Sequence, residues 1–411
     1  MVPYLRSKFN REFRPATYQS MLAALQSDCG APVSFRVAET PCFFPAPLLK
    51  SMAVIGRELT ERLVSDREYL RQAGDSIPAA YRASGESPHP HFMTVDFGLV
   101  REPSGELTPR LVELQAFPSV FAFQLALSHA YRRGYGLEPT LDPLLGGHTE
   151  SSFWELLSRV ILRGHDPENV VLMEIDPYAQ KTLPDFLLTS ARLGIRILDV
   201  RDVIPVRSAG KPARLFYARG SSLVPIHRIY NRTIVDELIR KQVALPFEYG
   251  EELDVEWAGH PNWYFQISKF SIPYLDHWAV PPAVFLDKWL EDRGRLPQEP
   301  EALILKPLFS FAGQGIRFGP TAAELESIPP SLRRDYLLQQ RVRFEPVIET
   351  PWGLTQAEIR VMYVWPDEGQ LEPVITLIRL GRGMMMGVDH NREQEWVGAS
   401  ASFSPQEDQE R

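Results

Sequence analysis

The chain is poor in cysteine, with only Cys29 and Cys42 among its 411 residues. Two cysteines do not make the disulfide framework of a small secreted protein, and no Cys and His residues follow the spacing of a zinc site. A chain of this length can bury a large core without such cross-links. We expect Cys42, in TPCFFPAP, to be a small buried hydrophobic residue without a catalytic role.

The sequence also lacks long apolar runs and an excess of positive charge. It has no stretch of 18 apolar residues, and MVPYLRSKFNREFRP at its N-terminus carries charges where a signal peptide has its apolar core. The formal net charge is −8, from 44 basic and 52 acidic residues, which disfavours general nucleic-acid binding. These features predict a cytoplasmic protein without a membrane or nucleic-acid partner, and they leave its oligomeric state open.

Proline, in contrast, is abundant, and 36 scattered prolines predict many short elements. The length suggests two or three domains. We predict an N-terminal region of residues 1–148, a middle region of residues 149–260, a last region of residues 261–400 and a flexible tail of residues 401–411. The mixture of strands and helices predicts the α/β class, with α+β elements.

The first region combines helices with a pair of strands. Apolar residues at helical spacing predict a helix from Pro47 to about Ala73. The strands Phe92–Val100 and Pro109–Leu114 are predicted on either side of the turn-like segment REPSGEL. A second helix, Val120–Arg133, is expected to follow them.

The middle region alternates strands with helices, which predicts a mostly parallel sheet covered on both faces. The predicted helices are Trp154–Leu162 and Thr182–Leu193, and Gly194 stands where a helix-ending glycine belongs. The predicted strands are Asn169–Ile175, Arg196–Val200, Arg214–Ala218 and Pro225–Tyr230.

The last region mixes strands with two short helices. The predicted helices are Ala283–Asp292 and Thr321–Ser327. The predicted strands are Ala302–Pro307, Asp335–Arg341, Glu358–Trp365 and Glu372–Leu380. The polar tail SPQEDQER is expected to fray.

The strongest local signal is LILKPLFSFAGQGIRFG, in which a strand ends at Lys306 and a loop with Gly313, Gln314 and Gly315 follows. Glycine lets backbone N–H groups approach an anion closely, and a lysine on the preceding strand can add its charge to the same phosphates. The spacing fits neither a P-loop nor a dinucleotide fingerprint. The residues alone therefore leave open a phosphate-covering loop or an ordinary hairpin turn.

A second signal is the strand YLLQQRV further along the chain. Gln339 and Gln340 can offer backbone and amide groups to the edge of an adenine ring. The alternative is an edge strand with two solvated glutamines.

Three oxygen-bearing residues lie on the first predicted strand pair. Residues two apart in a strand point to the same side, so Glu113 and Gln115 project together and Asp96 can face them from the neighbouring strand. Hard oxygen ligands of this kind suit Mg²⁺. The alternative is that the acids face solvent, although their apolar surroundings predict buried carboxylates that need partners. The segment Asp389–Asn391 is a competing oxygen-rich cluster.

Basic residues mark the strands near the C-terminus. Arg360 lies on one predicted strand, and Arg379 and Arg382 lie on the next strand and its turn. Arginines that project into a cleft can clamp transferring phosphate oxygens. On a sheet surface they are usually salt-bridged and inert. Lys269, in ISKF, carries no assignment by itself.

Taken together, these segments resemble the ATP-grasp family, whose members join a carboxylate to an amine or a similar nucleophile through an acyl-phosphate made from ATP. ISK with AVPPAVF is similar to the first nucleotide lysine and the entry strand of the small lobe. ILKPLFSFAGQGI resembles the second lysine and the glycine loop, LLQQRV the adenine-binding linker, and EIRVMYV the strand with a phosphate-contacting arginine.

The order of the segments resembles a subset of that family. VDFGLV and RLVELQAFPS are similar to the metal-binding element, but they precede the nucleotide-binding segments instead of following them. This is the order of circularly permuted ATP-grasp proteins, which include glutathionylspermidine synthase-like chains. The resemblance implies a permuted ATP-grasp fold with the middle region as the preATP-grasp domain.

The resemblance also implies site residues and an activity. It implies ATP binding by Lys269, Lys306, Gly313, Gln314, Gly315, Gln339, Gln340 and Val342, Mg²⁺ binding by Asp96, Glu113 and Gln115, and catalysis by Arg360 and Arg379, with Arg382 a weaker candidate. Gln115 stands where the family has Asn, which moves its amide oxygen one methylene further out. The implied activity is ATP-dependent amide formation from a small-molecule carboxylate and an amine, with release of ADP and phosphate.

Three other functions stay open. Phosphoryl transfer to an alcohol or an acid needs the same nucleotide site. A nucleotide-binding module without turnover is favoured by the replacement of Asn by Gln115. An α/β protein that binds no nucleotide is the third alternative.

Overall fold

The computed structural model describes residues 1–289, 296–309, 313–387 and 393–406. In these ranges, every helix is too short or too polar to cross a membrane. The strands divide among five sheets, and the helices lie mainly in the first half of the chain.

The α-helices are α1 Pro3–Glu12, α2 Pro15–Cys29, α3 Ala46–Ser65, α4 Arg67–Asp75, α5 Phe121–Tyr135, α6 Glu150–Leu162, α7 Leu183–Leu193, α8 Val235–Arg240, α9 Trp263–Gln266 and α10 Ala322–Ser327. The strands of the first half are β1 Cys42–Phe43, β2 Phe92–Arg101, β3 Leu107–Gln115, β4 Leu141–Asp142, β5 Val170–Glu174, β6 Arg196–Asp199 and β7 Ile204–Ser208. The later strands are β8 Lys211–Arg219, β9 Ser222–Ile226, β10 Arg228–Asn231, β11 Glu256–Ala258, β12 Ala283–Phe285, β13 Leu303–Pro307, β14 Arg317–Phe318, β15 Tyr336–Gln340, β16 Ile348–Thr350, β17 Gly353–Val364, β18 Glu372–Gly381, β19 Gly398–Ser400 and β20 Ser402–Pro405.

The largest sheet joins the two halves of the sequence. It is antiparallel, in the order β19-β18-β17-β2-β3, with β16 paired to β17. Asp96 on β2 pairs with Arg360 on β17 and with Glu113 on β3. The sheet therefore brings together polar residues that are far apart along the chain.

Strand alternation decides which face of this sheet is polar. Ile359 and Val361 on β17 are fully buried in the main core, which also contains residues of α3. Because successive strand residues point to opposite faces, Glu358 and Arg360 project to the other side. The helix-covered face thus supplies the hydrophobic stabilisation, and the opposite face is free to carry charge.

A smaller antiparallel sheet covers this polar face. Its order is β12-β15-β13-β14. Leu303, Leu305 and Leu338 pack in a separate small core on one side of it. The alternate residues Lys306 and Gln339 line a cavity between the two sheets.

The parallel sheet predicted for the middle region is present, in the order β11-β10-β5-β6. Phe153 of α6 and Phe186 of α7 pack in the same core as Val170 and Leu172 of β5. The predicted strand Arg214–Ala218 also forms, as part of β8. It lies between β7 and β9 in a separate antiparallel sheet.

Two predicted elements are each divided in two. The single helix predicted from Pro47 to about Ala73 is wrong, because Asp66 interrupts it and caps α4 by accepting hydrogen bonds from the backbone N–H groups of Glu68 and Tyr69. The predicted strand Pro225–Tyr230 is likewise divided at His227, between β9 and β10. Its two parts join different sheets.

Two predictions in the last third differ from the structure. Ala283 begins the strand β12 instead of a helix, and its partner β15 supplies backbone hydrogen bonds that a local pattern does not reveal. The end of the predicted helix falls outside the described residues. The tail is ordered further than predicted, since the buried β20 pairs with β1 and β4 as far as Pro405. The domain boundaries stay predictions.

Candidate functional site

A cleft lies between the large antiparallel sheet and the small one, with a cavity volume of about 380 Å³. The sequence predictions converge here, because eleven of the thirteen predicted site residues line this one cavity. They are Asp96, Glu113, Gln115, Lys269, Lys306, Gly313, Gln339, Gln340, Val342, Arg360 and Arg379. The other two, Gln314 and Gly315, are exposed and do not line it.

Two lysines enter the cleft from different elements. Lys306 comes from β13 and is 5% exposed, and its Nζ donates to the backbone oxygen of Val112 on β3 at 2.9 Å. Lys269 begins a short 3-10 helix, and its Nζ lies 3.2 Å from Glu113 Oε1. Burial lowers the pKa of Lys306 to about 8, against the opposing effect of the Glu113 charge. An incoming anion would raise the pKa of this lysine and favour its charged form.

The floor of the cleft carries a network of buried ion pairs. Arg360 Nε and Nη2 donate to the two oxygens of Asp96 at 2.6 and 2.7 Å, and Arg379 Nη1 donates to Asp96 Oδ2 at 3.0 Å. Arg379 also donates to Glu358. Burial raises the pKa of Asp96, but the charges of Arg360 and Arg379 outweigh burial and bring the pKa to about 2. Asp96 is therefore ionised, and each of its oxygens accepts at least one guanidinium N–H.

The predicted magnesium ligands are arranged differently from the expectation. Glu113 Oε1 accepts from Gln115 Nε2 at 3.0 Å and pairs with Lys269, while both oxygens of Asp96 are taken by guanidinium groups. Across the part of the chain that the structure describes, there is no group of three or more His, Cys, Asp or Glu side chains suited to a metal ion. In this arrangement the three residues do not form a three-ligand magnesium site, and the assignment of Mg²⁺ to them stays a prediction. The competing segment Asp389–Asn391 falls outside the described residues.

The cleft also has an apolar lining, which consists of Ile304, Ile316, Phe318, Val342, Phe344 and the methionines Met384, Met385 and Met386. Gln339 is the polar exception: it is 1% exposed, and neither its Oε1 nor its Nε2 has a hydrogen-bond partner among the described residues. A buried amide without partners is costly, so this side chain is suited to a ligand with an adjacent donor and acceptor.

The predicted glycine loop is only partly described, since residues 310–312 lie outside the described ranges. Gly313 and Gly315 adopt left-handed backbone conformations, with φ of +73° and +72°. A side chain at Gly313 would also collide with Met385. The left-handed conformation favours glycine at Gly313, whereas the end of the flexible Met385 side chain could move to admit a larger residue.

Sequence reasoning missed part of the cleft and misjudged one weaker candidate. Phe344 and the methionines have no chemical signature in a sequence, although the run GMMMG was an unusual composition. The sequence indicated no role for Glu358, yet this residue lines the cavity. Arg382 does not line it, because it donates to the hydroxyl oxygens of Thr355 and Thr350.

The two cysteines fit the structural role expected of them. Cys29 and Cys42 are free thiols buried in hydrophobic cores, far from chemistry that needs a thiolate. Burial raises the pKa of each thiol to about 12.

Comparison with known proteins finds similarity in structure but not in sequence. No family model matches the chain, and no curated protein sequence matches it either. Among solved structures, a glutathione synthetase-like effector from Globodera pallida, in its apo form, is similar with a TM-score of 0.58 and 10% sequence identity. The match covers 95% of this chain and 97% of that chain. The likeness shows a shared mixed α/β, glutathione synthetase-like fold over nearly the whole length, and at this identity it shows the fold alone.

Proposed function

We propose that the cleft binds ATP and that the protein is an ATP-dependent ligase of the circularly permuted ATP-grasp kind, joining a small-molecule carboxylate to an amine. The observation that carries the proposal is the mixed lining of one cavity. The lining combines apolar side chains and the amide of Gln339, which has no partner among the described residues, with the cations of Lys269, Lys306, Arg360 and Arg379. A nucleotide has a matching composition, with a flat base at one end and phosphates at the other. We assign the base to the apolar part of the lining, the base end, and the phosphates to the cations, the phosphate end.

The base end favours adenine. A glutamine amide can pair with the adjacent amino group and ring nitrogen of adenine, accepting from one and donating to the other. Phe318, Val342 and the methionine segment supply the apolar walls for the ring. The amide of Gln339, which has no partner among the described residues, would thereby be satisfied by the ligand.

The phosphate end supplies charge. Four basic side chains face the three carboxylates Asp96, Glu113 and Glu358, which leaves an excess of positive charge for the phosphates. Lys306 and Lys269 hold the phosphate chain, and Arg360 and Arg379 stabilise the negative charge of the phosphoryl group in transfer. The backbone at Gly313 closes one side of the cavity.

The proposed chemistry has two steps. A carboxylate oxygen attacks the γ-phosphorus, the bond to the β-phosphate oxygen breaks, and ADP leaves. An amine then attacks the acyl carbon, the bond to the phosphate oxygen breaks, and the amine nitrogen loses a proton. Neither step needs a covalent enzyme nucleophile, which agrees with two inert buried thiols. The glutathione synthetase-like fold of the Globodera pallida protein supports this class of reaction without identifying the substrates.

The test combines ADP release with trapping of the activated acid. The purified protein is incubated with ATP, Mg²⁺, hydroxylamine and pools of small carboxylic acids, and both ADP and hydroxamate are measured. We expect at least one pool to give both products with the wild type and neither with Lys306→Ala. Phosphate ester without hydroxamate would favour a kinase, and ATP binding without ADP release would favour a nucleotide-binding module.

A further inference from the structure

Asp96 holds two arginines that come from two different strands. Its carboxylate receives three N–H donors, two from Arg360 on β17 and one from Arg379 on β18. The carboxylate is 3% exposed and lies beside Arg360 in the strand register. Oδ1 accepts one of these donors and Oδ2 accepts two, so three of the roughly four acceptor sites of the carboxylate are occupied by guanidinium groups.

The same bonds orient the arginines toward the cavity. Arg360 uses only its Nε and one Nη2 hydrogen on Asp96, so three of its five N–H groups have no partner within the described ranges. Arg360 and Arg379 both line the cleft. A planar guanidinium fixed along one edge by a carboxylate presents its other edge in a defined direction.

Glu113 is placed differently. It meets no guanidinium group in the described parts of the chain, and its partners are the amide of Gln115 and the ammonium group of Lys269. Both of these partners sit on the cavity wall, where a phosphate or a cation could exchange with them. The two carboxylates predicted to share one metal therefore have different surroundings.

We propose that Asp96 is a positioning residue, which holds Arg360 and Arg379 ready for the phosphates, and that it is not a ligand of a divalent cation. This inference rests on the proposed function for the identity of the anion. In the resulting site, the protein's own guanidinium groups carry out part of the charge neutralisation near Asp96. If nucleotide binding depends on Mg²⁺, residues other than Asp96 then bind the cation.

The test measures the ATP dissociation constant by calorimetry with Mg²⁺ and with EDTA, for the wild type, Asp96→Asn and Glu113→Gln. We expect Asp96→Asn to weaken binding about tenfold in both conditions, because the arginines lose their anchor while the effect of the metal stays the same. The ratio of the two constants should stay within about twofold of the wild-type ratio. Loss of the Mg²⁺ dependence in Asp96→Asn would overturn the proposal.

Binding of Mn²⁺ alone to the free protein separates this inference from the proposed function. Free Mn²⁺ is followed by electron paramagnetic resonance, and we expect Asp96→Asn to bind Mn²⁺ as the wild type does. A wild type that binds no ATP would refute the proposed function, whereas a loss of Mn²⁺ binding in Asp96→Asn would assign the metal to Asp96 and overturn this inference.

Arg360→Gln gives a second variant in case Asp96→Asn fails to fold. It removes one cation and frees Oδ1 of Asp96, while Oδ2 keeps its hydrogen bond from Arg379 Nη1. We expect weaker ATP binding in EDTA that Mg²⁺ partly restores, so that the ratio of the two constants rises. An unchanged ratio would contradict the positioning role, since Asp96 would then have held the metal from the start.

Discussion

Asp96 in the cleft and Glu174 at the end of β5 are both buried carboxylates, yet they are in opposite states. Asp96 is 3% exposed and Glu174 is 4% exposed. Burial raises the pKa of Glu174 to about 8, and the backbone N–H of Ile175, its donor at 2.8 Å, offsets this only in part. At Asp96, two arginines reverse the effect of burial and bring the pKa to about 2.

The difference lies in the partners that each strand supplies. Arg232, the guanidinium group near Glu174, pairs with Asp185 instead, at 3.2 Å. Asp96 has one arginine beside it on β17 and another on β18. The chain thus leaves one carboxylate protonated in the parallel sheet and surrounds the other with excess positive charge in the cleft. Only the second arrangement is suited to binding an anion.

The largest effect is expected from breaking the buried pairs at Asp96. Asp96→Asn should lower the free energy of unfolding by about 3–5 kcal/mol, because Arg360 loses its carboxylate partner and Arg379 keeps only Glu358. Chemical denaturation of both proteins measures the difference. Glu102→Gln is the matched control, since its pair with Arg110 is partly exposed and should change stability little. Equal effects at the two sites would contradict the account of the cleft floor.

Glu174→Gln should raise the free energy of unfolding, in contrast to Asp96→Asn. A carboxyl whose pKa is raised in the folded state stabilises the protein less as the pH rises from the unfolded value toward 8. A neutral amide does not lose stability with rising pH in this way. The free energy of unfolding of the variant should therefore exceed that of the wild type by a few kcal/mol at pH 9, and the difference should be smallest at pH 5. Thermal unfolding across this range gives the comparison. A variant that is destabilised at pH 9 would show that Glu174 is ionised and paired.

Gln339→Met tests a buried polar group in the proposed base site of the cleft. Removal of an unpaired buried amide should stabilise the free protein by about 1–3 kcal/mol. The same change should reduce the preference for ATP over GTP by about 1–3 kcal/mol, because methionine cannot form hydrogen bonds with the edge of adenine. Competition binding measures the preference, with the exposed Gln19→Met as control. An unchanged preference would remove Gln339 from the base site.

The smallest effect concerns pH. Lys306 has a pKa of about 8 in the free protein, and bound phosphates should raise it. ATP binding at pH 8 should therefore take up protons, and affinity should fall severalfold as the pH rises above 8. Calorimetry in buffers of different ionisation enthalpy detects the uptake. Lys306→Arg, which stays charged, should abolish it; a buffer dependence that persists in this variant would assign the proton to another group.

Local patterns in the sequence predicted most of the strands that build the cleft. Apolar runs and alternation predicted β2, β3, β13, β15, β17 and β18 to within a few residues. They failed where tertiary pairing decided the outcome, as at Ala283, whose three-residue strand exists only because β15 lies beside it. The Asp66 cap could have been predicted, since an aspartate preceding a new helical turn is a frequent helix start.

Some features of the candidate site could likewise be predicted from the sequence, and others could not. Lys306 and Gly313 could be found because a strand, a lysine and a glycine loop follow each other in the sequence. The pairing of Asp96 with Arg360 could not, because it depends on the register of two strands that are 264 residues apart. The sequence therefore indicated that Asp96 needs a partner, but it could not identify that partner as Arg360.

The most direct test of the central claim is an equilibrium titration of the protein with ATP and Mg²⁺. It compares the wild type with Lys306→Ala, which removes a cation from the cleft, and Lys211→Ala, which removes one from an exposed strand far from it. We predict saturable binding to the wild type and to Lys211→Ala, and binding at least about 100-fold weaker to Lys306→Ala. Equal binding by all three proteins, or no binding to the wild type, would contradict the assignment of the cleft as a nucleotide site.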